Sequence, residues 1–485
     1  MALSDTQIRS IVETVVERLT SGKTPVSAPS PAPAPVPASP TGELMGVFDD
    51  MDEAIQAAAD AFHTHQRISL AKRRQFIEKL RQLGLQYAED FAIRTMRETG
   101  MGRVDHKIAK FQLVAAATPG PEIIEPRAFT GDHGLTTLEY APYGTIGAVT
   151  PSTHPVPTLL NNLISILSAG NTVVFNAHPA SKDVFAYAVD LFSRGLATVG
   201  APPNLFTTVR VPTIESATTM FNHPRVRVLL VTGGPGVVRA ALGTPKKAIC
   251  AGPGNPPVVV DETADLVKAA RDIVIGASFD NNIVCIGEKE VFVVERMADG
   301  LIREMLKNRC VLLTRDQIDA LAVKAFQFEG GVGCGSPNLN RDFVGRNASV
   351  LAEAIGLRVP EETLLLIGET DNDHAFVQEE QMMPFLPIVR CRDFDEALER
   401  AYAAEHGFGH TATIFSRNIE HMHRMAVKMN VSIFVKNGPT LAGLGSGGEG
   451  YTSFSIASPT GEGCTTARTF TRERRCALID YFRIV

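Results

Sequence analysis

The feature that most constrains the fold is an alternation of short β-branched runs with longer helical stretches. Strands that alternate with helices need crossover connections, and such connections join parallel strands in a sheet covered by helices. The alternation recurs in the second half, with a strand at 291–294, a helix at 299–308 and a strand at 364–367. We therefore expect an α/β fold with two open α/β domains. In the first half, residues 51–87 are helical, strands are expected at 144–151, 171–175, 205–209 and 226–231, and further helices at 157–167, 183–197 and 237–242.

The bulk composition narrows the class of protein. The chain has 485 residues, of which 44% are hydrophobic and 21% charged, and this suits a large core divided among domains. A net charge of −6 and the lack of any 18-residue apolar run predict no nucleic-acid partner and no membrane span. Seven scattered cysteines without a CxxC pair argue against disulfides and against a metal site, and fit a reducing cytosol.

Residues 1–22 predict a separate amphipathic helix. Within residues 4–21, apolar side chains recur from Ile8 to Leu19 at helical spacing. Residues 23–42 are rich in proline and alanine, which favours an extended spacer. A helix held away from the body cannot cover its apolar stripe there, so we expect the stripe to dock on another protein. The alternative is a first helix that folds back onto its own domain.

Cys285 is the strongest candidate for a nucleophile. It follows the polar pair Asn281 and Asn282 and precedes an apolar, β-rich run at 291–294. An amide-rich turn can expose a thiol to a substrate and direct backbone N–H groups at a developing oxyanion. The thiolate is the reactive form, so the surroundings must favour it. Cys250 is the only rival, and the other cysteines are expected to be buried as small hydrophobic residues.

A strand that runs into glycines suggests a phosphate site. Residues 228–231 are followed by Thr232, Gly233 and Gly234 and then by the helix at 237–242. The bare amides of a helix N-terminus bind phosphate. The order G-x-G-x-x-G is absent, so an ordinary tight turn is an equal alternative. A second glycine cluster at 443–450 is expected to be a loop that lines a pocket.

Five motifs follow one another along the chain: IGAVTP (146–151), GNTVVF (170–175), VTGG (231–234), GPGNPP (252–257) and Cys285. In this order they resemble the aldehyde dehydrogenase superfamily, and the resemblance runs from about residue 44 to the C-terminus. Three further segments are PSTHPVPT (151–158), AGPGN (251–255), and GEGYTSF (448–454) running on to PTGEG (459–463). They are similar to the CoA-acylating branch of this superfamily, and especially to the members packaged in bacterial microcompartments.

This resemblance implies a domain plan. A Rossmann-like NAD-binding domain is expected at 43–250, with an oligomerisation hairpin near 125–142, and a catalytic domain at 251–435. Residues 436–485 are expected to form a return segment and an oligomerisation tail, giving a homodimer or a dimer of dimers. The N-terminal helix is similar to encapsulation peptides. Residues 4–21 would then bind microcompartment shell or core proteins, in the bacterial cytoplasm.

The resemblance also implies the site. Cys285 would attack the aldehyde, and Thr153 would hold the oxyanion where hydrolytic members have an asparagine. NAD would accept the hydride, and coenzyme A would be the co-substrate. The residues expected to bind the cofactor are Thr150, Pro151, Ser152, Asn176, His178, Pro179, Thr232, Gly233, Gly234, Val237, Ala251 and Gly252.

One departure from the superfamily pattern decides the reaction. Ala251, 34 residues before Cys285, stands where hydrolytic relatives have the glutamate that activates water. General base help is worth roughly 10²–10⁴-fold, so water should attack a thioester slowly here, whereas a thiol needs less help. We therefore expect NAD-dependent oxidation of a short-chain aldehyde, such as propionaldehyde, to its acyl-CoA. The alternatives are a hydrolytic NAD(P)-dependent dehydrogenase and an inactive, shell-associated adaptor.

Other charged residues receive structural interpretations. His154 and His410 are expected to be structural or to line the cofactor site. Glu288 and Lys289 are expected to form a structural ion pair. In the PFLP segment (384–387), Met383 replaces the acidic residue that relatives use on the nicotinamide ribose.

Overall fold

A computed structural model describes residues 44–327 and 338–485. The predicted N-terminal helix and its proline-rich spacer lie outside the described residues. None of the helices within these two ranges is long and apolar enough to span a lipid bilayer.

Helices and parallel strands alternate along the described chain. The helices are α1 Met51–His65, α2 Leu70–Gln86, α3 Ala88–Thr99, α4 Val104–Ala117, α5 Pro155–Ser168, α6 Lys182–Ala197, α7 Ile214–Asn222, α8 Pro235–Leu242, α9 Leu266–Ser278, α10 Glu295–Leu306, α11 Arg315–Ala325, α12 Ala348–Ala354, α13 Ala375–Gln378, α14 Phe394–Ala404 and α15 Ile419–Met429. The strands are β1 Val47–Phe48, β2 Arg127–Gly131, β3 Gly134–Pro142, β4 Thr145–Val149, β5 Thr172–Asn176, β6 Phe206–Val209, β7 Val226–Thr232, β8 Lys247–Ala251, β9 Pro257–Val260, β10 Glu290–Val294, β11 Cys310–Leu312, β12 Phe326–Gln327, β13 Asn338–Leu339, β14 Leu365–Glu369, β15 Phe385–Cys391, β16 Thr411–Phe415, β17 Ile433–Lys436, β18 Ile456–Ala457, β19 Gly463–Cys464 and β20 Thr471–Ile479.

The first sheet has six parallel strands in the order β1-β6-β5-β4-β7-β8. The chain leaves β4 toward β5 on one side and later adds β7 on the other, so β4 is the point where the strand order reverses. Ligands of open α/β sheets bind at such a point, beyond the carboxyl ends of the strands. Every residue of α5, the helix that follows β4, is buried. The segment between β4 and α5 is therefore held firmly in place.

The second sheet has seven parallel strands in the order β11-β14-β15-β10-β9-β16-β17. Its central strand β10 is buried along its whole length, as expected for a parallel sheet covered on both faces. Together with the first sheet, it confirms the predicted α/β fold class. The predicted boundary at residue 251 falls on the last residue of β8, which belongs to the first sheet.

A small antiparallel sheet joins β2, β3 and β20. Strand β20 pairs with β3 from Thr471 opposite Pro142 to Ile479 opposite Gly134. The hairpin β2–β3 lies where the sequence placed an oligomerisation hairpin, and β20 lies in the predicted tail. All residues of β20 after Thr471 are exposed, so this strand presents a surface that the described residues do not cover.

The helical stretch predicted at 51–87 is interrupted. Helix α1 ends at His65, and α2 begins at Leu70 after a turn. The Ser69 hydroxyl caps the new helix by accepting the backbone N–H of Lys72 at 3.3 Å. A serine in this role is a common helix start. Helical periodicity is similar on both sides of the turn, which is why the sequence pattern alone did not reveal it.

Candidate active site

The carboxyl edge of the first sheet and the amino edge of the second sheet border one cleft of about 1020 Å³. Residues that follow β4, β5, β7 and β8 line one side. Residues that precede β9, β10, β15 and β16 line the other. The cleft contains every site residue that the sequence predicted, namely Thr150, Pro151, Ser152, Thr153, Asn176, His178, Pro179, Thr232, Gly233, Gly234, Val237, Ala251, Gly252 and Cys285.

The loop that carries Cys285 has an unusual backbone. Asp280, Asn281 and Asn282 have φ angles of 51°, 55° and 64°, in the left-handed region that aspartate and asparagine tolerate best. Their side chains hold them there. The Asn281 amide donates to the backbone carbonyl of Gly345 at 2.9 Å, and the Asn282 amide donates to the carbonyl of Glu288 at 2.9 Å. Strain of this kind is typical of sites whose geometry is fixed in advance.

Gly254 separates the nucleophile loop from a histidine. A Cβ atom on Gly254 would lie 2.8 Å from the backbone oxygen of Cys285 and 2.8 Å from Cγ of His410. The next residue, Asn255, anchors this segment because its amide donates to the carbonyls of Val377 and Ala404 at 3.0 and 2.9 Å. The GPGNPP motif therefore brings the two sides of the reacting centre together, and glycine at 254 is required by close approach.

The thiol of Cys285 needs help to ionise. Burial raises its pKa to about 12, and the nearby Glu380 carboxylate acts in the same direction. The ammonium groups of Lys289 and Lys110 oppose this by favouring the thiolate. These buried cations therefore act in the direction that favours the reactive thiolate.

Thr153 and His154 lie at the start of α5, beside the thiol in the same cleft. The Thr153 hydroxyl is 2.9 Å from Nδ1 of His154, and the His154 ring meets Phe454 edge-on at 5.6 Å. Burial, reinforced by Lys110 and Lys107, holds the pKa of His154 well below its ordinary value. The neutral ring can accept the threonine proton or donate to its oxygen, and so orient the hydroxyl.

His410 also lines the cleft. Its Nδ1 is 2.9 Å from the Thr411 hydroxyl, whereas its buried Nε2 has no hydrogen-bond partner among the described residues. Burial and the charge of Lys289 lower the pKa of His410 to about 4. The ring is therefore neutral near pH 7. When Nδ1 donates to Thr411, Nε2 is left with a lone pair that can accept a proton.

The other half of the cleft fits a dinucleotide. Gly234 is the N-cap of α8, and no atom lies within 4 Å of the position that its Cβ would take, which leaves room for a phosphate at the helix N-terminus. The buried Thr150 hydroxyl has no partner among the described residues. The Asn176 side-chain oxygen accepts from Ser216 at 2.6 Å, on the rim of the same region. An open cradle and an unpartnered hydroxyl are the features that a bound NAD would use.

The predicted ion pair between Glu288 and Lys289 is wrong. Glu288 does not pair with Lys289: its carboxylate accepts from the Thr440 backbone and hydroxyl at 2.8 and 2.9 Å. The Lys289 ammonium instead donates to the backbone carbonyl of Asn282 at 2.7 Å and to its side-chain oxygen. Both side chains are fully buried. Lys289, through its ammonium, and Glu288, through its backbone carbonyl, both hydrogen-bond to Asn282 and so hold the nucleophile loop (residues 280–285). The rival Cys250 is fully buried outside the cleft, and burial raises its pKa to about 11.

The sequence missed an acidic residue in the cleft. Met383, expected at the position of an acid, is buried outside the cleft lining, but Glu380 three residues earlier lines it. Burial raises the pKa of Glu380, and Lys289 opposes this. Because Glu380 lies three residues before the position where the motif has its acid, a comparison of motifs did not find this carboxylate. The remaining unpredicted lining residues include Thr213, Ile214, Ala217, Arg341, His406 and Phe408, which lie outside any motif.

Comparisons with known proteins agree with this geometry. A sequence model described as the aldehyde dehydrogenase family matches residues 41–320 and 363–458. The acetylating acetaldehyde dehydrogenase EutE of Escherichia coli is 49% identical over 91% of this chain and 94% of its own length. The chain therefore belongs to the aldehyde dehydrogenase family.

Solved structures place the resemblance more finely. A propionaldehyde dehydrogenase from the Clostridium phytofermentans fucose utilisation microcompartment superposes with a TM-score of 0.88 at 44% identity, covering 91% of this chain and 100% of that one. The Rhodopseudomonas palustris propionaldehyde dehydrogenase, solved with bound CoA and an acylated cysteine, gives a TM-score of 0.87 at 44% identity, covering 90% of this chain and 98% of that one. The resemblance to CoA-acylating members that the sequence predicted is confirmed.

Proposed function

We propose that this protein oxidises a short-chain aldehyde to its acyl-CoA, with Cys285 as the nucleophile and CoA as the acceptor of the acyl group. The observation that carries the proposal is the pairing, in one cleft, of Cys285 with the methyl group of Ala251. No carboxylate stands at this position to activate water. The relatives named above support it, since one is an acetylating enzyme and another was solved with bound CoA and an acylated cysteine.

In the first half-reaction, sulfur of Cys285 adds to the aldehyde carbon and the carbonyl oxygen becomes an oxyanion. In this proposal the Thr153 hydroxyl and the backbone N–H of Cys285 donate to it. When bound, NAD⁺ would be the hydride acceptor. Loss of hydride leaves a thioester on Cys285, and the aldehyde carbon is oxidised by two electrons. One proton, originally on the thiol, leaves the site.

In the second half-reaction, the thiol of CoA attacks the thioester carbon. The sulfur–carbon bond to Cys285 breaks, acyl-CoA departs, and Cys285 is regenerated. We assign His410 to take the CoA proton, because its ring is neutral and its Nε2 has no partner among the described residues. It then returns a proton to the departing cysteine sulfur. A base whose pKa lies below neutrality is weak, but a thiol is acidic enough to need only modest help.

Acyl transfer from CoA tests this directly, because the second half-reaction is reversible. The full chain is incubated with propionyl-CoA in the absence of cofactor, and the site of acylation is located by peptide mass spectrometry. We expect one acyl group on Cys285 and none in the Cys285→Ser variant. Cys250→Ser is the matched control, because this cysteine lies outside the cleft. Acylation at another residue, or none at all, would refute the proposal.

Glu380 is the observation that favours the hydrolytic alternative. It is a carboxylate in the cleft whose pKa is raised by burial, as a general base requires. If Glu380 activates water, the protein releases carboxylate without CoA, and Glu380→Gln abolishes that release. If CoA is the acceptor, the native protein itself forms negligible carboxylate in the absence of CoA.

We propose propionaldehyde as the preferred substrate, by analogy with the two propionaldehyde dehydrogenases. The acetylating acetaldehyde dehydrogenase is 49% identical, against 44% for the two propionaldehyde dehydrogenases, so the discriminating measurement is kcat/KM for aldehydes of two, three and four carbons. CoA and NAD⁺ are held at saturation. The largest kcat/KM is expected for three carbons, and a maximum at two would assign the protein to the acetaldehyde enzymes.

We further propose that residues 4–21 dock this enzyme in a bacterial microcompartment, and that the body assembles as a dimer or a dimer of dimers. The periodic apolar stripe before a proline-rich spacer supports docking. The exposed strand β20 and the apolar side chains after it, including Phe482 and Ile484, support assembly. Deletion of residues 1–40 should abolish encapsulation of the protein and leave kcat/KM unchanged. Loss of both would contradict the docking role.

A further inference from the structure

A cluster of buried charges joins helix α4 to the start of the nucleophile loop, and it consists of Lys107, Lys110 and Asp280. The Asp280 carboxylate accepts from the ammonium groups of Lys107 at 3.1 Å and Lys110 at 2.5 Å through the same oxygen. Its other oxygen accepts the backbone N–H of Arg103 at 2.7 Å. The side chains of Lys107, Lys110 and Asp280 are only 3%, 1% and 0% exposed. Two cations and one carboxylate leave one net positive charge in the interior.

An excess of buried charge requires a physical reason. Moving an ion into the protein interior costs several kcal/mol, and one partner of opposite sign offsets only part of this. Asp280 needs a single lysine for charge balance. The neighbouring His106 adds no charge to this balance: its Nδ1 accepts the backbone N–H of Asp280 at 2.8 Å and so carries no proton, and burial lowers the pKa of His106. The second lysine therefore serves something other than Asp280.

The cluster adjoins the segment that leads to the nucleophile, because Asp280 lies five residues before Cys285. Ala109 and Leu113, on the same helix as Lys110, and Cys285 itself all pack against one hydrophobic core. The Lys110 ammonium also lies 5.9 Å from the ring centre of Phe279, at the start of the loop. Lys110 and Cys285 act on each other electrostatically, each favouring the charged form of the other.

We propose that the buried ammonium group of Lys110, held in place by Asp280, stabilises the thiolate form of Cys285, and that Lys107 supplies the balancing charge. Lys110 is thus a positioning residue that acts through the cysteine. The inference extends the proposed function, because it says how the thiol becomes reactive. It does not depend on which acceptor removes the acyl group.

Several other groups bear on the same sulfur. Lys289, just before β10, favours the thiolate, and the Glu380 carboxylate, which lies before β15 on the same side of the cleft, opposes it. His154 and His410 are held neutral by burial and add no charge near pH 7. Burial also lowers the pKa of Lys110 to about 8, with Asp280 acting against this fall. The contribution of Lys110 should therefore fade above about pH 8.

The test is the pH dependence of Cys285 alkylation in the full chain. The rate constant for iodoacetamide is measured from pH 6 to 10, and peptide mass spectrometry follows Cys285 and the exposed Cys476 separately. In Lys110→Met we expect the Cys285 rate at pH 7.5 to fall about tenfold for each unit by which the thiol pKa rises. The Cys476 rate should not change. Lys307→Met is the matched control, because Lys307 is 67% exposed and pairs with Glu304.

A charge-conserving variant separates charge from shape. Lys110→Arg should restore most of the Cys285 rate and should keep it above pH 8, where the native lysine loses its proton. An equal loss in Lys110→Met and Lys110→Arg would overturn the proposal, and so would an unchanged profile in folded Lys110→Met. If Lys110→Met does not fold, Lys107→Met carries the test, since it also removes the net positive charge and must slow alkylation. Alkylation needs neither aldehyde nor CoA, so its outcome is independent of the proposed function.

Discussion

Gly254→Ala is the substitution that most sharply tests the geometry of the reacting centre. The new Cβ would lie 2.8 Å from the Cys285 backbone oxygen and 2.8 Å from Cγ of His410. Carbon–oxygen contacts begin at about 3.3 Å, so the Cys285 oxygen is approached about 0.5 Å too closely. Carbon–carbon contacts are optimal at about 3.5–4.0 Å, so the contact with His410 is shorter than ordinary by a larger margin. Asn255 fixes the segment on one side and the loop hydrogen bonds fix the other, so neither can retreat freely.

The expected result is a loss of turnover that exceeds the loss of stability. A misplacement of 1 Å at a reacting centre can cost about 10²-fold in rate, so a forced shift of half that size should lower kcat by roughly tenfold or more. Overpacking should cost about 1–3 kcal/mol of unfolding free energy. The assay is acyl-CoA formation at saturating aldehyde, CoA and NAD⁺, with thermal unfolding measured alongside.

Gly131→Ala is the matched control. Gly131 lies in the exposed hairpin, and nothing lies within 4 Å of the position that its Cβ would take. This variant should retain the full kcat. The reasoning is refuted if Gly254→Ala, correctly folded, turns over as fast as Gly131→Ala.

Two further predictions concern a hydroxyl and a buried histidine. Thr153→Val should lower kcat by roughly 10²–10³-fold, which is the effect of removing one oxyanion donor. Thr158 is buried outside the cleft, so Thr158→Val should leave kcat unchanged. Equal rates in the two variants would exclude the donor role of Thr153. His65 is fully buried, and its Nε2 donates to the Leu167 carbonyl oxygen at 3.1 Å. Burial, with Arg73, lowers the pKa of His65 to about 4. Because its unfolded pKa is near 6.5, the unfolded state binds more protons between pH 6.5 and 4, and stability falls as the pH drops through this window. At pH 5 the loss from His65 should be ~2 kcal/mol, so the thermal midpoint of His65→Gln should fall less between pH 7 and 5 than that of the native chain; an equal fall would contradict this.

Most of the architecture was predictable because it depends on local patterns. The alternation of β-branched runs with helical stretches marks β4, β5, β7 and β10, and burial on both faces explains why these runs are continuously apolar. The motifs at the strand ends gathered in one cleft because the carboxyl ends of parallel strands meet at one edge. Their individual roles stay predictions until variants are measured.

The unpredicted features depend on contacts between distant residues. Lys107 and Lys110 resemble solvent-facing residues of a helix, and only the fold brings them to Asp280, 173 and 170 residues away along the chain. Glu288 and Lys289 are neighbours in sequence, but each points to a different partner, Thr440 and Asn282. Adjacent side chains on an extended or turning chain point in different directions, so adjacency in the sequence wrongly suggested a salt bridge between them.

The most direct test of the acyl-enzyme account is a rapid-mixing experiment without CoA. The enzyme is mixed with saturating NAD⁺ and propionaldehyde, and NADH is followed until the signal is constant, after which CoA is added. The account predicts a burst of one NADH per Cys285, then a stall, then resumed NADH formation with one acyl-CoA for each further NADH. Continuous NADH production at the CoA-saturated rate before any CoA is added would contradict it.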